Sequence, residues 1–520
     1  MNNKVIKALI SGFALLPFVE GLVFVGNATM DPFVSSKTYS QNATNEIEYS
    51  ILAIVNYGGY YAPGPICTKA FEVGLEQLKR NGKLQNFNVK FELVDSVCDT
   101  DKMIRTVALH LADHHNDTNR LPIMLLDECS TLANVVSAKM LKPNHYVGLT
   151  TDFKSADLDF ITKMTTFGLR PETVLYKKGE MGILLNMGWT KYAVFSEDLG
   201  FFNEIEREMF PMFEIANLEL LYTTKVNFQQ PLKLLSSEIE AAVIGLKKSD
   251  ALIIFSHTDN PVAFACWLYK LDMIQNRVII ASAWSMWNPD SVKIPNVVSA
   301  WCTREMLRKA VKGWIFSTVG WMADVLGEGY VDDAGLTKKQ FTDLMAEKIY
   351  TPSSWRSWAP NCYDLAYYTG LVIDETEQRL RMSSSSLMEW TVDGNNYLHN
   401  SSYIQNLILK SIYNVTFKGH LTAIDMDKKT HRNSDGWTPV VFLQMIKDKD
   451  GKFQTRRIAY FRYRDSKIVE INQGLQWATD DGERPVDRVL SISKTLSPTN
   501  RKFYFAFSSE FSPTKPLFNF

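Results

Sequence analysis

The sequence carries no excess of either charge: 57 acidic residues face 56 basic ones, for a formal net charge of -1. No long run of one sign occurs. That excludes a nucleic-acid binder working by bulk charge and gives no support to a polybasic membrane-surface protein. Cysteine is scarce, 6 in 520 residues, too few for a small disulfide scaffold but enough for two or three staples. Beyond the first 30 residues, no apolar stretch reaches the roughly 20 residues a helix needs to cross a bilayer. Signatures of catalysis are missing too: there is no GxGxxG, phosphate loop, HExxH, GxSxG or CxxC. The 8 histidines are scattered apart from His114-His115, and neighbours on a helix face different ways, so that pair reads as solvated surface rather than a metal site. An enzyme is not expected, and neither is a cofactor.

What is present is an ordinary globular composition, 46 % hydrophobic and 22 % charged, which argues against disorder. At roughly 150 residues per domain the length suggests two to four domains. Lys4 and Lys7 precede an apolar run from Ala8 to Val19, ended by Glu20, with small residues near Gly21 and at Gly26–Ala28. This is a signal-peptide layout over residues 1–28; the alternative is an uncleaved anchor, because Leu22–Val25 resume the apolar character. Either way the bulk of the chain is translocated, to a secreted or extracellular location. Sequons at Asn27, Asn42, Asn116, Asn400 and Asn414 suit that compartment.

Residues 29–47 are polar and read as a linker. Strand and helix signals then alternate. Ser50–Asn56, Asn88–Val94, Leu121–Leu126 and His145–Leu149 are buried-strand candidates, each followed by a helical pattern. The rhythm resumes with Tyr192–Phe195, Leu218–Thr224, Ala251–Ser256 and Val278–Ala283. Two such runs imply two α/β lobes with parallel sheets covered on both faces. Ligands of these folds sit at the carboxyl ends of the strands. Further on, Pro360–Leu380 and Ser402–Tyr413 read as helices, and His420–Asp425, Pro439–Ile446 and Arg457–Arg462 as strands, with Asp450-Gly451 as a hairpin turn. The tail from 491 to 520 lacks periodicity.

The segment from Gly64 to Leu132 carries Cys67, Asp95-Ser96-Val97-Cys98-Asp99 and Cys129-Ser130. It continues with Cys266, Cys302-Thr303-Arg304-Glu305-Met306, Ala310-Val311-Lys312-Gly313, Ala359-Pro360, Tyr363-Asp364, Phe417-Lys418-Gly419-His420, and Trp477 before Gly482 and Pro485. This ordered set, over roughly residues 48–490, resembles the extracellular ligand-binding domain of GABA type B receptors, which are class C G-protein-coupled receptors. The resemblance implies an α/β, bilobed type I periplasmic-binding-protein-like clamshell of two doubly wound parallel sheets joined by three crossovers. Lobe 1 would take residues 48–165 and 320–410, and lobe 2 residues 166–319 and 411–490. It also implies pairing into a homo- or heterodimer with a related subunit through lobe 1. By the same resemblance Cys98 bridges to Cys129 and Cys266 to Cys302, leaving Cys67 and Cys362 free and buried. The competing pairing joins Cys67 to Cys98, as in related receptor domains, and sequence does not settle connectivity.

Carried over residue by residue, the family's ligand contacts fall on Tyr61, which would cover the ligand, and on Ser130, a carboxylate donor that can equally cap the following helix. The next expected serine is Phe153. The expected histidine is Arg170, whose planar fork of donors suits a carboxylate. In lobe 2 the expected tyrosine is His257, and the expected tryptophan is kept as Trp284. The acidic residue that would hold the ligand's ammonium is Trp358, and a buried ammonium without a carboxylate is costly. The resemblance thus implies a different ligand, anionic or non-amine, or a non-binding partner subunit, which the family also contains. Two alternatives share the architecture: the ectodomain of a receptor guanylyl cyclase, and a soluble small-molecule binding protein.

Overall fold

Strands buried on both faces read as continuous apolar runs, and Tyr49–Val55 within β1 (Glu48–Val55) is buried throughout. In the computed structural model the residues described are 48–57, 64–85, 87–97, 99–113, 120–126, 131–151, 165–169, 174–198, 200–258, 260–282, 288–348, 358–383, 402–428, 440–462, 467–469, 475–477 and 484–485. β1 lies between β2 (Asn88–Asp95) and β3 (Arg120–Leu126), with β4 (Val147–Thr150) and β5 (Thr166–Gly168) beyond, all parallel. Helices α1 (Gly64–Arg80), α2 (Thr100–Asp113) and α3 (Thr131–Leu141) connect them. Successive side chains of a strand point to opposite faces. Ile51 and Ala53 therefore join one core, with Phe71 and Leu78 of α1, and Leu52 and Ile54 another, with Met103 and Val107 of α2.

The chain then builds a second sheet from α4 (Val174–Met187), β6 (Lys191–Glu197), α5 (Gly200–Ile215), β7 (Glu219–Val226), α6 (Leu232–Ser249), β8 (Ile253–His257), α7 (Pro261–Lys270), β9 (Val278–Ser282), α8 (Arg304–Ala310) and β10 (Ile315–Val319). It returns through α9 (Met322–Leu326), α10 (Lys338–Lys348), α11 (Ala359–Met382), α12 (Ser402–Asn414), β11 (Thr416–Lys418) and β12 (Ala423–Asp425). Finally β13 (Val440–Lys447), β14 (Phe453–Arg462) and β15 (Lys467–Val469) rejoin the second sheet, whose order is β15-β14-β13-β10-β9-β8-β6-β7. The chain thus passes between the lobes three times. The hairpin expected at Asp450-Gly451 joins β13 to β14, with Gly451 at φ 78°.

Three expectations are corrected. The second sheet is mixed rather than purely parallel, because β13, β14 and β15 pair antiparallel. The lobe boundaries move: β5 pairs with β4 in the first sheet, past the expected limit at 165, and Phe417, Ile424 and Met426 pack in the first core rather than the second lobe. Cys67 and Cys362 are not free. They bridge each other across 295 residues with Cα atoms 5.0 Å apart, which also removes the Cys67–Cys98 alternative. The reason is the close packing of α1 on α11: a Cβ on Gly74 would lie 3.1 Å from the Ala366 Cβ and 3.2 Å from the Tyr363 carbonyl. The Cys266–Cys302 bridge is present as expected, spanning 36 residues, whereas Cys98 and Cys129 lie outside the described residues.

Of the sequons, Asn414 ends α12 exposed, its amide donating to Glu375 at 3.1 Å; Asn27, Asn42, Asn116 and Asn400 lie outside the described residues, as does the expected signal peptide. Among the described residues no helix is long and apolar enough to cross a membrane.

Asp364 of α11 grips the turn between β11 and β12, accepting from the backbone N–H groups of His420 at 3.0 Å and Leu421 at 2.9 Å. Gly419 is the residue that lets the carboxylate in, for an added Cβ would sit 2.4 Å from the Asp364 Cγ. Gly419→Ala is therefore expected to lower stability by roughly 3 kcal/mol through overpacking. An unchanged urea midpoint would show that the turn relaxes freely.

Candidate binding site

Parallel strands place their carboxyl ends on one edge of each sheet, and in open α/β folds that edge forms the ligand crevice. All five expected contact residues follow or occupy such ends: Tyr61 comes after β1, Ser130 after β3, Arg170 after β5 and Trp284 after β9, while His257 is the last residue of β8. Tyr61, Ser130, Arg170 and Trp284 lie outside the described residues. The mouth of the Tyr61 loop is described: the Gly64 N–H donates to the Asn56 carbonyl at 2.7 Å, and the Tyr57 N–H to Asp95 at 2.8 Å. The Tyr57 hydroxyl meets Thr68 on the first turns of α1. Trp358, which replaces the expected acid, precedes α11 and is packed into the first core at 9 % exposure.

His257 is fully buried, at 0 % exposure. Strand register aligns Lys225 of β7, Ser196 of β6 and His257 of β8 in one row, with Ser317 of β10 further along the sheet. Over this row α4 lays Lys177 and Glu180, and α5 lays Glu206. The Lys177 ammonium donates to Glu180 at 2.6 Å and to His257 Nε2 at 2.8 Å. Ser317 donates to the second Glu180 oxygen at 2.6 Å. On the other side of the ring, His257 Nδ1 lies 3.6 Å from Glu206, whose carboxylate is 3.4 Å from the Lys225 ammonium. Lys225 also meets Asn203, and the Phe202 ring lies parallel to the imidazole with centroids 6.4 Å apart.

The result is an alternating chain, Lys225–Glu206–His257–Lys177–Glu180–Ser317, sealed from water along most of its length. Burial, and then the Lys177 charge, hold the His257 pKa below its usual value. The ring is therefore neutral near pH 7, with Nε2 accepting from Lys177. Burial pushes Glu206 up, but the neighbouring His257 and Ser196 side chains and the Lys225 charge outweigh it and leave it lowered. On the opposite face of β6, Glu197 accepts from Thr258 Oγ1 at 3.0 Å and Asn260 Nδ2 at 3.2 Å. The lobe-2 edge thus presents fixed charges and donors on both faces of one strand end. Among the described residues no group of three acidic, histidine or cysteine side chains is placed to hold a metal ion.

Sequence reasoning reached His257 but missed Lys177, Glu180, Glu206 and Lys225. A signal existed for Lys177: a lysine in the first turn of the apolar helix VLYKKGEMGILLNM opposes the positive end of the helix dipole and needs an acid nearby. Glu206 gave none, because only the fold brings α5 over β8.

No protein-family model and no curated protein matches the sequence. Solved structures do match. A solute-binding protein of an ABC transporter from R. palustris, in complex with 4-hydroxybenzoate, superposes with a TM-score of 0.56 at 12 % identity, covering 80 % of this chain and 97 % of that one. An ABC transporter substrate-binding protein from Sphaerobacter thermophilus gives 0.54 at 13 % identity, covering 81 % and 99 %. At such identity the likeness shows the fold: a bilobed, type I periplasmic-binding-protein-like α/β clamshell.

Proposed function

We propose that the chain is the extracellular ligand-binding region of a GABA type B-like receptor subunit, and that its cleft takes a small carboxylate without an ammonium group. What supports this reading is the chain order, which puts the five expected contact positions at or just after strand carboxyl ends, together with the buried Trp358 at the position where an acid would hold an amine. Arg170 grips the ligand carboxylate with its fork of donors, Tyr61 and Trp284 cover it, Ser130 donates from lobe 1, and His257 anchors the lobe-2 wall. The ligand named for the R. palustris protein, 4-hydroxybenzoate, is itself a carboxylate lacking an amine, which supports that class. Binding shifts an open–closed equilibrium by the ligand's differential affinity for the closed lobes. No bond is made or broken, so the role is recognition rather than catalysis. A related subunit pairs through lobe 1.

The test is a melting-temperature screen of small carboxylates, including 4-hydroxybenzoate and GABA, followed by calorimetry. A non-amine carboxylate is expected to stabilise the chain, and Arg170→Ala to abolish that binding. Unchanged binding by Arg170→Ala, or heat from GABA at millimolar concentration, would sink the assignment.

A further inference from the structure

Two of the three interlobe passages are rooted in one buried cluster of the first lobe. The Met322 N–H, on the segment returning from β10, donates to the His420 carbonyl at 2.8 Å. His420 itself lies in the turn that leads through β12 toward β13, and Asp364 holds its backbone N–H at 3.0 Å. The same turn is tied to the segment before α10: the Tyr330 hydroxyl donates to the Gly419 carbonyl at 2.9 Å, and the Lys418 N–H to Asp333 at 2.7 Å.

The His420 ring is boxed by Trp321, Phe341 and Tyr363, with centroids 5.8, 4.4 and 5.5 Å away. Its Nε2 faces Asp332 Oδ2 at 3.4 Å, yet that buried nitrogen has no hydrogen-bond partner. The other Asp332 oxygen accepts from the Leu336 N–H at 2.6 Å, and the Tyr363 hydroxyl reaches Oδ2 at 3.3 Å. The remaining ionisable groups around the pair are Asp333 on the same turn, Tyr330 before it, Asp364 and Tyr367 of α11, and exposed Lys418. Lys338 of α10 lies over Trp321 at 5.2 Å. Among the described residues no lysine or arginine forms an ion pair with Asp332 or Asp364.

We propose that Asp332 and His420 form a proton-operated clasp at the interlobe hinge. One proton taken from solvent sits between Asp332 Oδ2 and His420 Nε2 and turns an empty contact into a hydrogen bond. It thereby fastens the roots of both passages to the first lobe. Asp332 carries the proton: burial raises its pKa from 3.8 to about 6, whereas burial lowers that of His420 to about 3. Burial and the facing Asp332 charge also push Asp364 up to about 8, so the three groups resist further negative charge together. An acid whose pKa is raised in the fold binds its proton more tightly there than in the opened state. The clasp is therefore tightest below about pH 4 and loses its grip as pH rises to about 6.

The test is amide hydrogen exchange of the full chain between pH 4 and 7.5, corrected for intrinsic exchange and read at Met322 and at His420–Leu421. Protection is expected to be up to roughly a hundredfold higher at pH 4 than at pH 7. Asp332→Asn keeps the acceptor for Leu336 and aims a permanent amide donor at Nε2. It should remove the share of the pH dependence that Asp332 contributes, leaving only that of Asp364. A wild-type pH dependence retained in Asp332→Asn would overturn the clasp. If that variant does not fold, the native chain decides alone, because pH-independent protection at these amides overturns it equally.

Discussion

Lys177→Met is expected to cost the fold about 3–5 kcal/mol, the range for breaking a buried ion pair by removing one partner. Lys177 and Glu180 have side chains only 3 % and 1 % exposed, so the substitution strands a carboxylate that keeps just the Ser317 hydrogen bond on its far oxygen. The double variant Lys177→Met/Glu180→Met leaves no stranded charge and should recover most of the loss. Urea midpoints of the three chains measure this, and equal losses in single and double variants would refute it. The same variant carries a pH signature. His257 is buried neutral, its pKa held down by burial and by Lys177, so wild-type stability is fully present above the unfolded value of about 6.5 and is lost as pH falls below it. Without Lys177 the imidazole is easier to protonate, and that acid-side loss should become shallower.

The second large effect belongs to the bridge between Cys67 and Cys362. It closes a span of 295 residues, and removal of a native disulfide typically costs about 2–5 kcal/mol. Cys67→Ala/Cys362→Ala should fall in that range, and partial reduction of the native chain should lower the melting temperature in step with loss of this bridge. Connectivity is read directly by mass spectrometry of unreduced peptides: a peptide containing Cys67 should be joined to one containing Cys362. A Cys67–Cys98 peptide would overturn the pairing. Functionally, the bridge ties α1, which starts just after the Tyr61 loop, to α11, which starts just after Trp358. On the proposed function, a loosened bridge is expected to weaken ligand binding along with stability.

The contrast between the two disulfides shows where sequence information ends. Cys266 and Cys302 lie 36 residues apart on neighbouring elements, and the resemblance pairs them correctly. Cys67 and Cys362 meet because Gly74 lets two helices touch, and nothing local to either cysteine announces the other. The binding edge divides in the same way. The burial of His257 was legible because it ends an apolar strand, whereas the groups around it come from two helices over its face and from a strand two places along the sheet. The β12 expectation shows the opposite limit: His420–Asp425 reads as one strand, but Asp364 captures the first residues as a turn, leaving Ala423–Asp425 to pair.

By itself, then, the sequence determined the alternation of buried strands and helices and the two lobes, because both follow from local apolar periodicity and chain order. Only the tertiary structure decided the long-range disulfide, the charge chain through His257 and the aspartate cluster at the hinge. Those depend on groups distant in sequence being brought together out of water, where a charge must find its partner or give up its proton.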